Sequence, residues 1–135
     1  MPSAPFSMRM PPPTDSPAPP PADERLHYAP CAYLVLRADR TIAYANATLT
    51  EWLGYAPGSF DGAALSELLT PTSLVYFEAH VAPLIEIRGG VQEVRAAFQT
   101  LGGEPLPVLV NARRQLFEGR VVIALAAMIC HGPDD

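Results

Sequence analysis

The chain has 135 residues, 16 of them proline, with 49% apolar content and a formal net charge of −5, room for one core of roughly 100 residues plus a tail. An acidic balance without any run of Lys or Arg argues against nucleic acid or an anionic membrane as the main partner. The longest apolar run, residues 121–130, is about half of a spanning helix, and residues 1–10 lack the apolar stretch of a secretory signal, so a cytoplasmic location is expected.

Residues 1–23 read as a disordered Pro-rich tail. Nine prolines fall in the first 21 positions, and such a stretch has neither the donors for regular structure nor the apolar surface to repay ordering. A polyproline ligand or spacer is the alternative to a plain unstructured leader. Residues 23–28 predict a short helical turn leading into a domain at 24–130. Residues 32–37 make an apolar strand, 38–40 a turn, and 41–45 a second strand with Ile42 and Tyr44 on one side and Thr41 and Ala43 on the other.

The period changes at Asn46, a good helix N-cap because its side-chain oxygen can accept from a free N–H of the first turn. Leu49, Trp52 and Leu53 then recur at helical spacing, and Gly54 provides a left-handed stop. Short helical turns occupy 57–70. Thr70 and Pro71 open a longer helix whose core stripe is Leu74, Phe77, Val81, Leu84 and Ile85. Pro83 should kink or split it near Ala82.

The last third reads as sheet. Val94, Ala96 and Phe98 alternate with polar neighbours, Gly102-Gly103 turns the chain, 106–116 is a strand, and Glu118-Gly119 leads into 120–129. The near-continuous apolar character of that final strand makes it central, with one face toward the helices and the other toward a partner, the N-terminal segment or a second subunit.

Asn46, Gly54, Tyr55 and Gly62, with seven residues between Asn46 and Gly54 and seven between Gly54 and Gly62, together with Gly103 and Leu106-Pro107-Val108, resemble the PAS (Per-Arnt-Sim) sensor family over roughly residues 26–129. AHVAPL (79–84) and GGEPLPVLVNA (102–112) resemble PAS domains of bacterial regulatory phosphatases and sensor kinases. The resemblance implies an α+β fold, a five-stranded antiparallel sheet with short helices on one face. It implies a cytoplasmic sensory module that binds a small molecule or a signalling protein and works as a homodimer. Relatives often carry glycine where Arg40 stands, a departure expected to matter little. The Gly132-Pro133 ending replaces the usual link to a signalling helix, so output through a partner or a dimer is expected.

No Gly-rich phosphate loop, zinc-spaced cluster or nucleophile elbow is present, so no catalytic residue is assigned; a small enzyme using the same cavity is the rival from another class. Candidate cavity residues are Tyr33, Trp52, Tyr55, Phe60, Tyr76, Phe77, His80, Phe98, Asn111, Arg113 and Met128, aromatics with polar tips that suit a small amphipathic ligand or simply fill a core. One of Arg113 and Arg114 should face inward. No cofactor is expected, with haem as the alternative: in haem-binding relatives the axial histidine sits on the long helix, where His80 lies, and an arginine on the next strand, here Arg95, can reach the iron-bound gas. The alternative for His80 is a hydrogen bond to a nearby carbonyl. Flavin photochemistry is not expected, since neither cysteine lies in the helical region. The resemblance makes the first and last strands antiparallel neighbours, so Cys31 and Cys130 could be close, as two free thiols or as a redox-responsive pair.

Overall fold

The computed structural model describes residues 24–130; the tail expected over 1–23 and the short one at 131–135 lie outside the described residues. A lead-in turn, α1 (Glu24–His27), precedes β1 (Ala32–Arg37) and β2 (Ile42–Ala45). α2 (Ala47–Leu53) starts at Asn46, whose side chain accepts from the Leu49 N–H at 3.1 Å, and stops at Gly54 with φ 87°, as capping chemistry requires.

A 3₁₀ turn (Leu65–Glu67), α3 (Pro71–Tyr76), a π-helical turn (Phe77–Val81) and α4 (Ala82–Arg88) lead to β3 (Gly90–Gln99), β4 (Pro105–Phe117) and β5 (Arg120–Ile129). All pairs are antiparallel in the order β2-β1-β5-β4-β3, with β5 in the centre. This is the expected α+β architecture. One face of the sheet, carrying Leu34, Leu36, Val108, Val110, Ile123 and Leu125, packs with Leu49, Leu53, Phe77 and Ile85 into a single buried cluster.

Residues 62–70 run as a strap from one edge of the sheet to the other. At the β2 edge the Ile42 N–H donates to the Ala63 carbonyl and the Gly62 N–H to the Ile42 carbonyl, both at 2.8 Å. At the β3 edge the Gln99 N–H donates to Leu68 at 2.7 Å and the Thr70 N–H to Ala97 at 3.0 Å. The strap thereby satisfies the free edge of β2 at Ile42 and that of β3 at its C-terminal end, residues 97–99.

Three local details differ from the sequence reading. A register shift between Val35 and Leu36 pairs Val35 with Tyr44 and Leu36 with Ile42, so Ile42 is buried in the core while Tyr44 shares the outer face with Val35. The interruption expected near Ala82 takes the form of a π-helical turn over Phe77–Val81, after which α4 starts afresh at Ala82. The turn before Pro83 widens, with the Ala82 N–H donating to the Phe77 carbonyl five residues back, so a proline that lacks an N–H sits in the first turn of α4 without costing a bond. The extra residue in that turn rotates the face presented by α4. Ala82 and Ile85 are buried, whereas Leu84, expected in the core stripe, is 37% exposed. Finally β3 begins at Gly90 and bulges between Val91 and Val94, with Glu93 at φ 57°.

Candidate functional site

The space enclosed between sheet and helices is small. A cavity of about 30 Å³ is lined by Leu34, Val110 and Leu125 from the sheet, Phe98, Val94 and Ala96 from β3, and Tyr76, Phe77 and Val81 from the helical side. Ser73 and Arg95 also border it, but the Ser73 hydroxyl is engaged, accepting from the Ala97 N–H at 2.8 Å, and the Arg95 guanidinium turns to the Cys130 sulfur. Room for about two waters is far below the several hundred Å³ of an ordinary cofactor pocket. Of the sequence candidates, Tyr76, Phe77 and Phe98 meet here.

Tyr55 and Phe60 lie elsewhere, edge to face at 5.0 Å, on an open surface depression of about 710 Å³ that also passes Glu67 and Gln99. Trp52 is half-buried and packs against the core from α2. The other candidates stand apart from both spaces. Tyr33, Asn111, Arg113 and Met128 occupy the outer sheet face, because in β1, β4 and β5 they alternate with the core residues Leu34, Val110, Ala112 and Ala127. Asn111 serves the β3 bulge, its Oδ1 accepting from the Glu93 N–H at 2.8 Å. Of the arginine pair, Arg114 faces the helices and donates to the Glu86 carbonyl at 2.6 Å, at the C-terminal end of α4.

His80 is exposed on the π-helical turn and stacks on Tyr76, ring centroids 5.0 Å apart. It does not line the cavity, so the haem alternative lacks both its axial ligand and its room. Arg95 contacts the Cys130 sulfur at 3.4 Å. Cys130 is thus drawn to the β4 and β3 side of β5, its N–H donating to Pro107 at 2.9 Å, while Cys31 lies on the β1 side with its carbonyl accepting from Asn46. Both thiols are free.

Arg40 matters more than expected. It adopts φ 71° at the β1–β2 turn, donates to both carboxylate oxygens of Glu78 at 2.9 and 3.3 Å, and lies 5.5 Å over the Phe77 ring. The hairpin turn is thereby clamped to the cavity wall. Thirty-eight residues separate the two partners, so no local pattern could have revealed the contact.

The outer sheet face is the other prominent surface. Tyr33, Val35 and Tyr44 on its β1–β2 side continue into Ala126, Met128 and Leu109, and Met128 is 55% exposed. The lead-in turn is pinned to its edge. Asn46, fully buried, donates to the Leu26 and Cys31 carbonyls at 2.9 and 3.0 Å and accepts from the Tyr33 N–H at 3.0 Å. The Thr48 hydroxyl donates to the Ala29 carbonyl, and His27 Nδ1 meets the Tyr44 hydroxyl at 2.6 Å. Burial pushes the Tyr33 and Tyr44 phenols above their ordinary range, with Asp61 adding to the shift at Tyr44. Among the described residues, no group of three or more His, Cys, Asp or Glu side chains could hold a metal ion, and no helix is long and apolar enough to cross a membrane.

The sequence model of the PAS domain family matches residues 30–131. Over 90 residues the chain is 31% identical to phosphoserine phosphatase RsbP of Bacillus subtilis, a match covering 67% of this chain and 22% of that protein. The chain therefore spans about a fifth of the length of this curated relative. Among solved structures it is similar to the PAS domain of a Colwellia psychrerythraea protein, with a TM-score of 0.71 and 15% identity over 79% of this chain and 92% of that one. It is also similar to the PAS domain of an HTR-like protein from Haloarcula marismortui, with a TM-score of 0.65 and 20% identity over 79% and 90% of the two chains.

Proposed function

The chain belongs to the PAS domain family, and from there we propose that it is a non-enzymatic sensory module that signals through the outer face of its sheet. The observation that carries this reading is the pairing of a nearly filled core, about 30 Å³ of free volume, with an outer face on which Tyr33, Val35, Leu109 and Met128 lie half-buried or exposed beside a pinned lead-in turn. A surface of that character favours a protein contact, with a second copy of the chain as the first candidate. A second reading is a small-molecule sensor whose ligand has only a few heavy atoms, favoured by the apolar cavity between Phe77 and Phe98. A cytoplasmic setting accords with both.

Native mass spectrometry with an absorption spectrum of the same sample tests the proposal. The expected result is a colourless dimer whose dissociation constant rises at least tenfold in Leu109→Glu/Met128→Glu, a shift of about 1.4 kcal/mol or more. A dimer indifferent to that pair of substitutions sinks the sheet-face reading, and a Soret band abolished by His80→Ala would restore the haem alternative.

A further inference from the structure

The β4–β5 hairpin outruns the rest of the sheet. β3 pairing with β4 ends at Gly90 and Arg113, and β1 pairing with β5 ends at Arg37 and Val122, whereas β4 and β5 remain paired as far as Phe117 and Arg120. The tip is thus a two-stranded ribbon, closed by Glu118 and Gly119 at φ 52° and 79°, the two positive values of a type I′ turn. Such a ribbon is marginal alone, and this one is tied at its base. The Arg114 N–H donates to the Gly89 carbonyl at 2.8 Å, and its guanidinium reaches the Glu86 carbonyl. By the two-residue period of the ladder, the Leu116 N–H and carbonyl are the next groups on that edge, beyond the end of β3.

The ribbon holds large apolar side chains in water: Leu116 is 72% exposed, and Phe117 and Val121 are each 48% exposed. Leu116 and Val121 stand on the helix side with Arg114, and Phe117 on the outer side with Arg113 and Arg120. Arg88 adjoins, one residue before the Gly89 that receives Arg114. Arg88, Arg113 and Arg120 make no ion pair among the described residues. Four of the chain's nine basic residues, Arg88, Arg113, Arg114 and Arg120, therefore gather at one end of a molecule of net charge −5, with Glu86, Glu93 and Glu118 as acidic neighbours in the same elements.

We propose that this tip is a docking site for an extended acidic segment of a partner protein. The segment adds as a strand along the Leu116 edge, covers the exposed apolar side chains and sets its carboxylates against the arginines. A flat anionic membrane fits less well, because apolar and basic side chains project from both faces of the ribbon.

The test uses a labelled 12-residue synthetic peptide alternating Glu with Leu and Phe, titrated into the full chain and followed by fluorescence anisotropy and ¹H–¹⁵N chemical shifts. The expected result is binding that weakens with salt, shifts centred on residues 113–121, and at least tenfold loss in Arg113→Glu/Arg120→Glu. Leu116→Ser, which keeps every charge, should also weaken binding and covers the case in which the double variant fails to fold. Absence of binding, equal binding of the peptide with Lys in place of Glu, or shifts centred on the outer sheet face would overturn the proposal. So would tip-dependent binding to vesicles with 30% anionic lipid in place of the peptide, or loss of a dimer in the tip variants.

Discussion

Asn46 concentrates more structural consequence than any other polar side chain of the fold. Its amide satisfies two carbonyls of the lead-in segment and two backbone N–H groups, one in β1 and one in α2, with the residue fully buried. Asn46→Ala leaves several of these groups without partners and should cost about 3 kcal/mol in chemical denaturation, two or more lost bonds plus desolvation. Asn46→Asp keeps the acceptor and loses both donations to Leu26 and Cys31, so accelerated amide exchange confined to residues 24–31 is the expected signature. The cap itself is legible in the sequence, since Asn before a helical period has one obvious use. Its second role is not, because residues 26 and 31 approach it only once the chain is folded.

The tyrosines of the outer face give a pH dependence with a fixed sign. Their folded-state pKa values lie above the unfolded value of 10.0, so their contribution is complete below pH 10 and is lost as pH rises through the folded values. Denaturation midpoints measured from pH 9 to 11.5 should fall more steeply for the parent than for Tyr33→Phe/Tyr44→Phe. At the acid end, Thr41 donates to Asp39 from both its hydroxyl and its N–H and holds that carboxyl below 3.8. Thr41→Val should raise the Asp39 titration midpoint, read by NMR.

At the scale of elements, period is more informative than face. Five strands and the capped helix emerge from alternation and punctuation, yet alternation alone cannot say which of two faces meets the core. Tyr33 and Met128, expected inward, therefore face outward, and Leu34 and Ala127 take the core positions. One bulge in β1–β2 moves Tyr44 away from Ile42, and one wide turn moves Leu84 away from Ile85. The latter gives a direct check: Ile85→Ala should cost about 3 kcal/mol as a core truncation, whereas Leu84→Ala should cost less than about 1 kcal/mol as a surface change. Gly90 is a second check, since a Cβ there would come within 2.7 Å of the Ala112 carbonyl oxygen. Gly90→Ala must push β3 from β4, with a loss of about 2 kcal/mol expected in equilibrium unfolding.

For the whole molecule, the five-stranded antiparallel sheet is readable through the family resemblance carried by Asn46, Gly54, Tyr55 and Gly62, and the presence of a single apolar core through length and composition, while which residues enter that core is readable only in part. The extent of the interior is not readable. Volume depends on how Phe77, Phe98 and the sheet residues interlock, and composition is silent about that. Phe98→Ala should enlarge the cavity at a cost of about 4 kcal/mol and make it a xenon site detectable by ¹²⁹Xe NMR, which the parent volume barely admits.

The 62–70 strap has a mechanical consequence. Because it is bonded to β2 at one end and to β3 at the other, sheet and strap form a hoop around the interior, and a hoop cannot widen at one point without tension elsewhere. Anything that swells the cavity must therefore either tear bonds at an edge or bow the five strands outward. Bowing would carry an event inside the hoop to the opposite side of the sheet as a change of curvature.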